Sequence, residues 1–304
     1  MRPPRLRRLD RLRVPADDHH RRRPELGPSL WARYSPVTAL TQSQVDSFHE
    51  NGFLFPIRVF STEETLALRG RLEEAESGAA PGAERAARQG LPITHAWAWD
   101  LVHDPRIVAP ISAVLGPDVL LWSMDWFIKA PGPAFVSYHQ DATYWGLEPH
   151  HVATAWIALS DASPETGPMR FVPGSHKGPL FEQDETYAQD NLLSRGQVVK
   201  TDVDESQTVL APLAPGEMSM HHVRVIHGSE PNLTRDRRIG MVLRYCATDV
   251  RQTKAEGDRA ILVKGVDNHR HFEMIPRPRE DLGQSERELA RRHARTRHKA
   301  LMED

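Results

Sequence analysis

Cysteine is almost missing: Cys246 is the single one in 304 residues. A lone thiol excludes an internal disulfide, leaves the fold to its hydrophobic core, and fits a reducing cytoplasm. Long hydrophobic runs are missing too. No stretch approaches the roughly 18 apolar residues that a membrane-spanning helix requires. A dominant charge is lacking: 39 Lys and Arg against 41 Asp and Glu leave a net charge of −2. That balance excludes a protein-wide polyanion-binding surface. Aromatic residues make up only 7%, yet with 39% hydrophobic residues overall the chain can bury one sizeable core.

The charge is uneven. Residues 1–34 hold ten arginines against Asp10, Asp17, Asp18 and Glu25, with prolines at 3, 4, 15, 24 and 28. Such a segment cannot bury a core and is expected to be a disordered, solvated tail. A nucleic-acid-binding arm is the alternative. No apolar segment follows Arg7-Arg8, which argues against a twin-arginine export signal.

Folding is expected to begin near Ser35, giving one domain over 35–276 and a basic helix over 277–304. LTQSQVDSFHENGFLF reads as a helix capped by Thr41, with Val45, Phe48 and His49 on one face and a stop at Asn51-Gly52. STEETLALRGRLEEAES reads as a second helix, with Ser61 and Glu64 as a capping box. The Ala- and Gly-rich segment 78–90 reads as a loop. DPRIVAPISAVLG follows as a short helix ending at Gly116. From Val119 the texture changes to short apolar strands between Gly/Pro turns, interrupted by an irregular polar stretch at 181–207. That pattern predicts an all-β barrel or sandwich behind flanking helices.

The segment YHQDATYW, Tyr138–Trp145, raises the chemical question. On a strand, residues i and i+2 share a face, so His139 and Asp141 would lie about 7 Å apart at their α-carbons. A metal fits between two such side chains. The non-heme iron site built from two histidines and one carboxylate needs one histidine more. His150, His151, His176, His221, His222 and His227 are the candidates. His221 and His222 are neighbours, face opposite ways, and suit packing or supporting hydrogen bonds. If His227 and Arg238 flank a hairpin, both lie near its mouth. A buried arginine there would suit a dicarboxylate, which its planar fork grips through two hydrogen bonds. Arg238, Gly240, Val242 and Arg244 share one strand face; Ile239, Met241, Leu243 and Tyr245 share the other. Val152, Thr154, Trp156 and Ala158 likewise share a face. Periodicity does not say which face looks inward. Arg244 reads as a structural ion-pair partner, with an acidic substrate as the alternative, and the C-terminal arginines as a solvated helix face.

Three blocks in order, HQDATYW, AWIALSDASPETGPMRFVPGSH and HHVRVIHGSEPNLTRDRRIGMVLRY, resemble the phytanoyl-CoA dioxygenase family. The opening SPVTALTQSQVDSFHENGFLF resembles that family's first helix, so the likeness covers roughly residues 37–250. It implies a mainly β chain with flanking helices and a double-stranded β-helix (jelly-roll, cupin-like) core. It implies an iron(II)- and 2-oxoglutarate-dependent oxygenase consuming O2. His139, Asp141 and His227 are then the iron ligands. Arg238 grips the distal carboxylate of 2-oxoglutarate, with Ser229 as hydroxyl partner, Trp156 on the co-substrate wall and Lys129 facing the same pocket. Trp145, Tyr144, Phe127 and Trp97 are candidates for a wall around an apolar or ring-bearing small molecule, although a core role also suits Trp97. Retention of Asp141, which halogenating relatives replace by a small residue, implies hydroxylation or a related oxidation, with release of succinate and CO2. A tailoring role in secondary metabolism, in the cytoplasm, is the expected setting. The rival readings are a β-barrel binding protein without chemistry and a nucleic-acid-associated oxygenase.

Overall fold

A computed structural model describes residues 39–81 and 87–302. The arginine-rich segment 1–34 and part of the expected loop at 78–90 lie outside the described residues.

Helices come first. α1 (Gln42–Asn51) opens with a capping box between Thr41 and Gln44 and stops at Gly52, whose φ of 84° suits glycine. α2 (Thr62–Ser77) opens the same way at Ser61 and Glu64. Both caps satisfy amide groups that the first helical turn leaves free. Phe48 is buried and Val45 half-buried, but His49 is exposed, one residue and about 100° further around the helix. The short helices α3 (Leu91–Thr94) and α4 (Ala96–Val102) precede α5 (Pro105–Leu115), which Asp104 caps and Gly116 ends.

Strands follow β1 (Phe53–Arg58): β2 (Val119–Lys129), β3 (Val136–His139), β4 (Leu147–Glu148), β5 (Val152–Ala158), β6 (Met169–Phe171), β7 (Gln183–Glu185), β8 (Gln197–Val199) and β9 (Val209–Ala211). Next come β10 (Glu217–His222), β11 (His227–Ser229), β12 (Arg238–Ala247), β13 (Arg251–Gln252), β14 (Arg259–Lys264) and β15 (Glu273–Met274). A one-turn helix, α6 (Ala142–Trp145), follows β3, and α7 (Gln284–Met302) closes the described chain. The polar stretch 181–207 is not wholly irregular, since β7 and β8 pair within it.

A seven-stranded sheet has the order β1-β10-β5-β12-β2-β14-β15, and a four-stranded sheet the order β3-β11-β6-β9. Their facing sides meet: Phe53, Trp156 and Val242 of the large sheet pack with Met169, Phe171 and Ala211 of the small one. The result is the jelly-roll architecture of a double-stranded β-helix. On its outer face the large sheet carries Ile157, Met218, Ile239, Met241 and Leu243, packed against Phe48, Leu68, Leu72 and Leu101 of the helices. Strand parity is thereby resolved. Arg238, Gly240, Val242 and Arg244 look inward, as do Thr154 and Trp156.

β11 and β12 do not form a hairpin. β11 belongs to the small sheet and β12 to the large one, so residues 230–237 cross between sheets. The crossing is tied down by Asn232, whose Nδ2 donates to the carbonyls of Lys129 (3.1 Å) and Asp236 (2.8 Å). α7 is not a wholly solvated helix either: His293 and Ala300 are buried, and Arg297 reaches Asp125 on β2.

Candidate metal and co-substrate site

β3 pairs antiparallel with β11, placing His139 directly opposite His227. The two rings lie 4.2 Å apart between centroids. Each Nδ1 faces a backbone carbonyl, Ser137 O at 2.9 Å for His139 and Val225 O at 3.1 Å for His227. A carbonyl only accepts, so both Nδ1 atoms carry the proton and both Nε2 lone pairs are free for a metal. Asp141 does not share a strand face with His139. β3 ends at His139, and the backbone turns helical at Asp141 (φ −60°, ψ −35°) to open α6. The turn carries the carboxylate back, so that Asp141 Oδ1 lies 3.4 Å from His139 Nε2. One ligand atom each from His139, Asp141 and His227 falls within 4.8 Å of the others.

The electrostatics suit a cation. Burial alone would raise the Asp141 carboxyl, but the adjoining His139 and His221 rings outweigh it and hold the acid well below its usual range. Burial, reinforced by His139 and His221, pushes His227 well below the ordinary imidazole value, so its ring is neutral. An anionic carboxylate and a neutral imidazole are the ligand states a divalent ion requires. His221 is a neighbour that sequence reasoning assigned only a supporting part: its Nε2 lies 3.8 Å from Asp141 Oδ2 and its ring 4.7 Å from His227. Its inward orientation is visible only in the alternation of Ser219 and His221 with Met218 and Met220.

The second cluster is built on two basic residues. Arg238 on β12 and Lys129 on β2 are directly opposed, and they are 1% and 0% exposed. Lys129 Nζ donates to Ser229 Oγ (2.7 Å), to Gly167 O (3.3 Å) and to Glu230 O. Arg238 donates to Gly167 O, leaves Nε unpartnered, and sits 5.3 Å from the centre of the Trp156 ring. That ring covers Gly240, where any β-carbon would collide with the indole. Burial, then the charge of Arg238, pushes Lys129 down to about 6, and burial pushes Arg238 down to about 10. A buried arginine and a buried lysine held only by carbonyls and a hydroxyl call for an anion, which would also return the proton to the lysine. The inward-facing Thr154 Oγ1, Ser219 Oγ and His221 Nδ1 are also buried without partners. Donors and acceptors of this kind fit 2-oxoglutarate lying between the His/Asp cluster and Arg238.

Among the substrate-wall candidates, Tyr144 and Trp145 are buried in the interior beside Trp122, and Trp145 is 5.5 Å from it. Phe127 is half-buried against the inter-sheet cluster. Trp97 is a correction: it packs with the helices on the outer face of the large sheet, away from the cluster. α4 carries it there, and no residue count from the strands foretold that side.

Comparison with known proteins agrees with this geometry. Residues 48–240 match the Phytanoyl-CoA dioxygenase (PhyH) family. The chain is 33% identical over 155 residues to a probable alpha-ketoglutarate-dependent hypophosphite dioxygenase of Stutzerimonas stutzeri, covering 49% of this chain and 52%, about half, of that protein. It is 27% identical over 234 residues to a methylphosphonate hydroxylase of Gimesia maris, covering 73% and 84%. The solved structure of the non-heme monooxygenase ThoJ superposes with a TM-score of 0.74 at 30% identity, covering 85% and 97%. The chain belongs to the phytanoyl-CoA dioxygenase family of iron(II)- and 2-oxoglutarate-dependent oxygenases.

Proposed function

We propose that the protein hydroxylates, or otherwise oxidises without halogenation, an unactivated C–H of a small molecule. His139, Asp141 and His227 hold the iron(II). Arg238, Lys129, Ser229 and Trp156 hold the distal end of 2-oxoglutarate. The observation that carries the reading is the carboxylate of Asp141 within reach of two imidazoles whose Nε2 atoms are free. A carboxylate in that position leaves no room for a halide ligand. Iron(II), 2-oxoglutarate and O2 together supply the oxidising power, giving hydroxylated product, succinate and CO2.

The protein's own part is positioning. Arg238 and Lys129 fix the co-substrate by two charges at one end, and Ser229 adds a hydroxyl. Trp156 stacks under Arg238 and keeps water from the ion pair, which strengthens it. His221 steers Asp141. Trp145, Tyr144 and Phe127 form the apolar part of the substrate wall. The names of the two curated relatives denote small phosphorus oxyanions, which supports a small polar substrate here. Secondary metabolism in the cytoplasm is the setting we assign; the single buried thiol suits a reducing compartment.

The test is anaerobic. Iron(II) and 2-oxoglutarate are added to metal-free protein, and the weak visible charge-transfer band of the chelate is recorded. The band is expected in the wild type, lost in His227→Ala and weakened in Arg238→Ala. A folded wild-type protein without the band rejects the reading in favour of a binding protein without chemistry.

A further inference from the structure

We infer that Arg244 and Arg297 form a substrate-anchoring site for an oxyanion group, on the side of the iron ligands opposite Arg238; the inference rests on the oxygenase reading above. Arg244 lies six residues beyond Arg238 on the same inward face of β12, about 20 Å along the strand. Its place in the barrel is set by register. Arg244 pairs with Thr154 of β5, and Thr154 pairs with His221 of β10. One rung of the sheet therefore runs from His221, which touches Asp141, to Arg244. A second link is covalent. Asp141 opens α6, Trp145 closes it, and the Arg244 guanidinium lies 4.9 Å from the centre of the Trp145 ring.

Arg297 arrives from elsewhere. It stands on α7, outside residues 48–240 that match the family. Its guanidinium covers Trp122 at 5.1 Å. Both arginines converge on one acid: Asp125 Oδ2 accepts from Arg244 Nη1 at 2.7 Å and from Arg297 Nη2 at 3.1 Å. Arg244 Nη1 also donates to Ser123 Oγ at 3.2 Å. Two guanidiniums on one carboxylate leave one positive charge over. Both Nε atoms are buried without a partner. Burial would raise the Asp125 carboxyl, but the two arginines overrule it and hold it below the usual range, so the acid stays charged. The surplus charge, the unpaired donors and the aromatic faces beneath both guanidiniums suit a ligand with an anionic head and an apolar body. Thr154 Oγ1, unpartnered in the same rung, adds a polar contact between head and metal. A carboxylate and a phosphonate share this chemistry; geometry separates them, one planar and one tetrahedral.

The test uses full-length protein loaded with nickel(II) and 2-oxoglutarate, which is redox-inert. Benzylphosphonate, phenylacetate and the neutral phenylacetamide are titrated by calorimetry. At least one anion is expected to bind roughly tenfold or more tightly than the amide. Arg297→Gln and Arg244→Gln are expected to abolish that preference, and Arg297→Lys to retain most of it. Whichever anion binds better identifies the head group. Equal binding of amide and anions, no binding of either anion, or an undiminished preference in a folded Arg297→Gln protein overturns the proposal. Nickel(II) and 2-oxoglutarate binding is measured in the same samples. Their failure to bind rejects the oxygenase reading, while the anion titration on metal-free protein still decides the arginine pair.

Discussion

Titrating 2-oxoglutarate into nickel(II)-loaded protein over a range of pH reads the charge of Lys129. In the free protein, burial and then Arg238 push this lysine down to about 6, so near neutral pH it is uncharged. The arriving carboxylate reverses the second cause and opposes the first, so the lysine regains its proton in the complex. The sign follows: the depressed value belongs to the free state, binding takes up a proton, and affinity tightens as pH falls toward 6. Near pH 7.5, reprotonating a group about 1.5 pH units above its midpoint costs about 2 kcal/mol, or roughly 30-fold in affinity. Calorimetry in two buffers of different ionisation enthalpy measures the uptake directly. It should approach one proton per 2-oxoglutarate near pH 7.5 and fall toward zero below pH 6. In Lys129→Met the uptake should vanish and the affinity become flat with pH. No uptake in the wild type, or unchanged uptake in the variant, refutes a neutral Lys129 acting on the co-substrate.

Other substitutions probe the remaining assignments. Asp141→Gly should reduce hydroxylated product to background, and product formed at the wild-type rate would remove Asp141 from the ligand set. Gly240→Ala drives a β-carbon into the Trp156 indole; it should cost about 1–3 kcal/mol in a denaturation experiment and weaken 2-oxoglutarate roughly tenfold. A tightly binding, fully stable Gly240→Ala protein would mean that Trp156 does not close that wall. Trp97→Ala, on the outer face, should lower stability by about 2 kcal/mol, less than a fully buried tryptophan loses, and leave 2-oxoglutarate affinity unchanged. A weakened co-substrate would return Trp97 to the site. Arg106→Leu strands the buried carboxylates of Asp104 and Glu64, which it now meets at 2.7 Å each. It should lower stability by about 3–5 kcal/mol, read from the denaturant midpoint.

Much of the local structure was legible because its causes are local. Thr41 with Gln44, and Ser61 with Glu64, announce helix starts through side chains three residues apart. Gly52 and Gly116 announce ends. The alternation in RIGMVLRYC separated an arginine-bearing face from an apolar one without naming the inner face. His139, Asp141, His227 and Arg238 were readable as a set because family resemblance links blocks that spacing alone does not.

Long-range relations were not legible. A hairpin joining His227 to Arg238, one reading open in the sequence, does not form, because a short connection can join two sheets as readily as two neighbours. The choice depends on which faces bury the apolar side chains of the whole domain. The same holds for α7: its arginines look solvated in sequence, and only its packing against the barrel brings Arg297 to Asp125. By itself, the sequence determined where elements begin and which residues alternate together, since those depend on neighbours in the chain. Tertiary structure decided that Lys129 opposes Arg238, that His221 supports Asp141, and that Trp97 lies outside, because strand register and sheet facing are set by burial summed over distant segments.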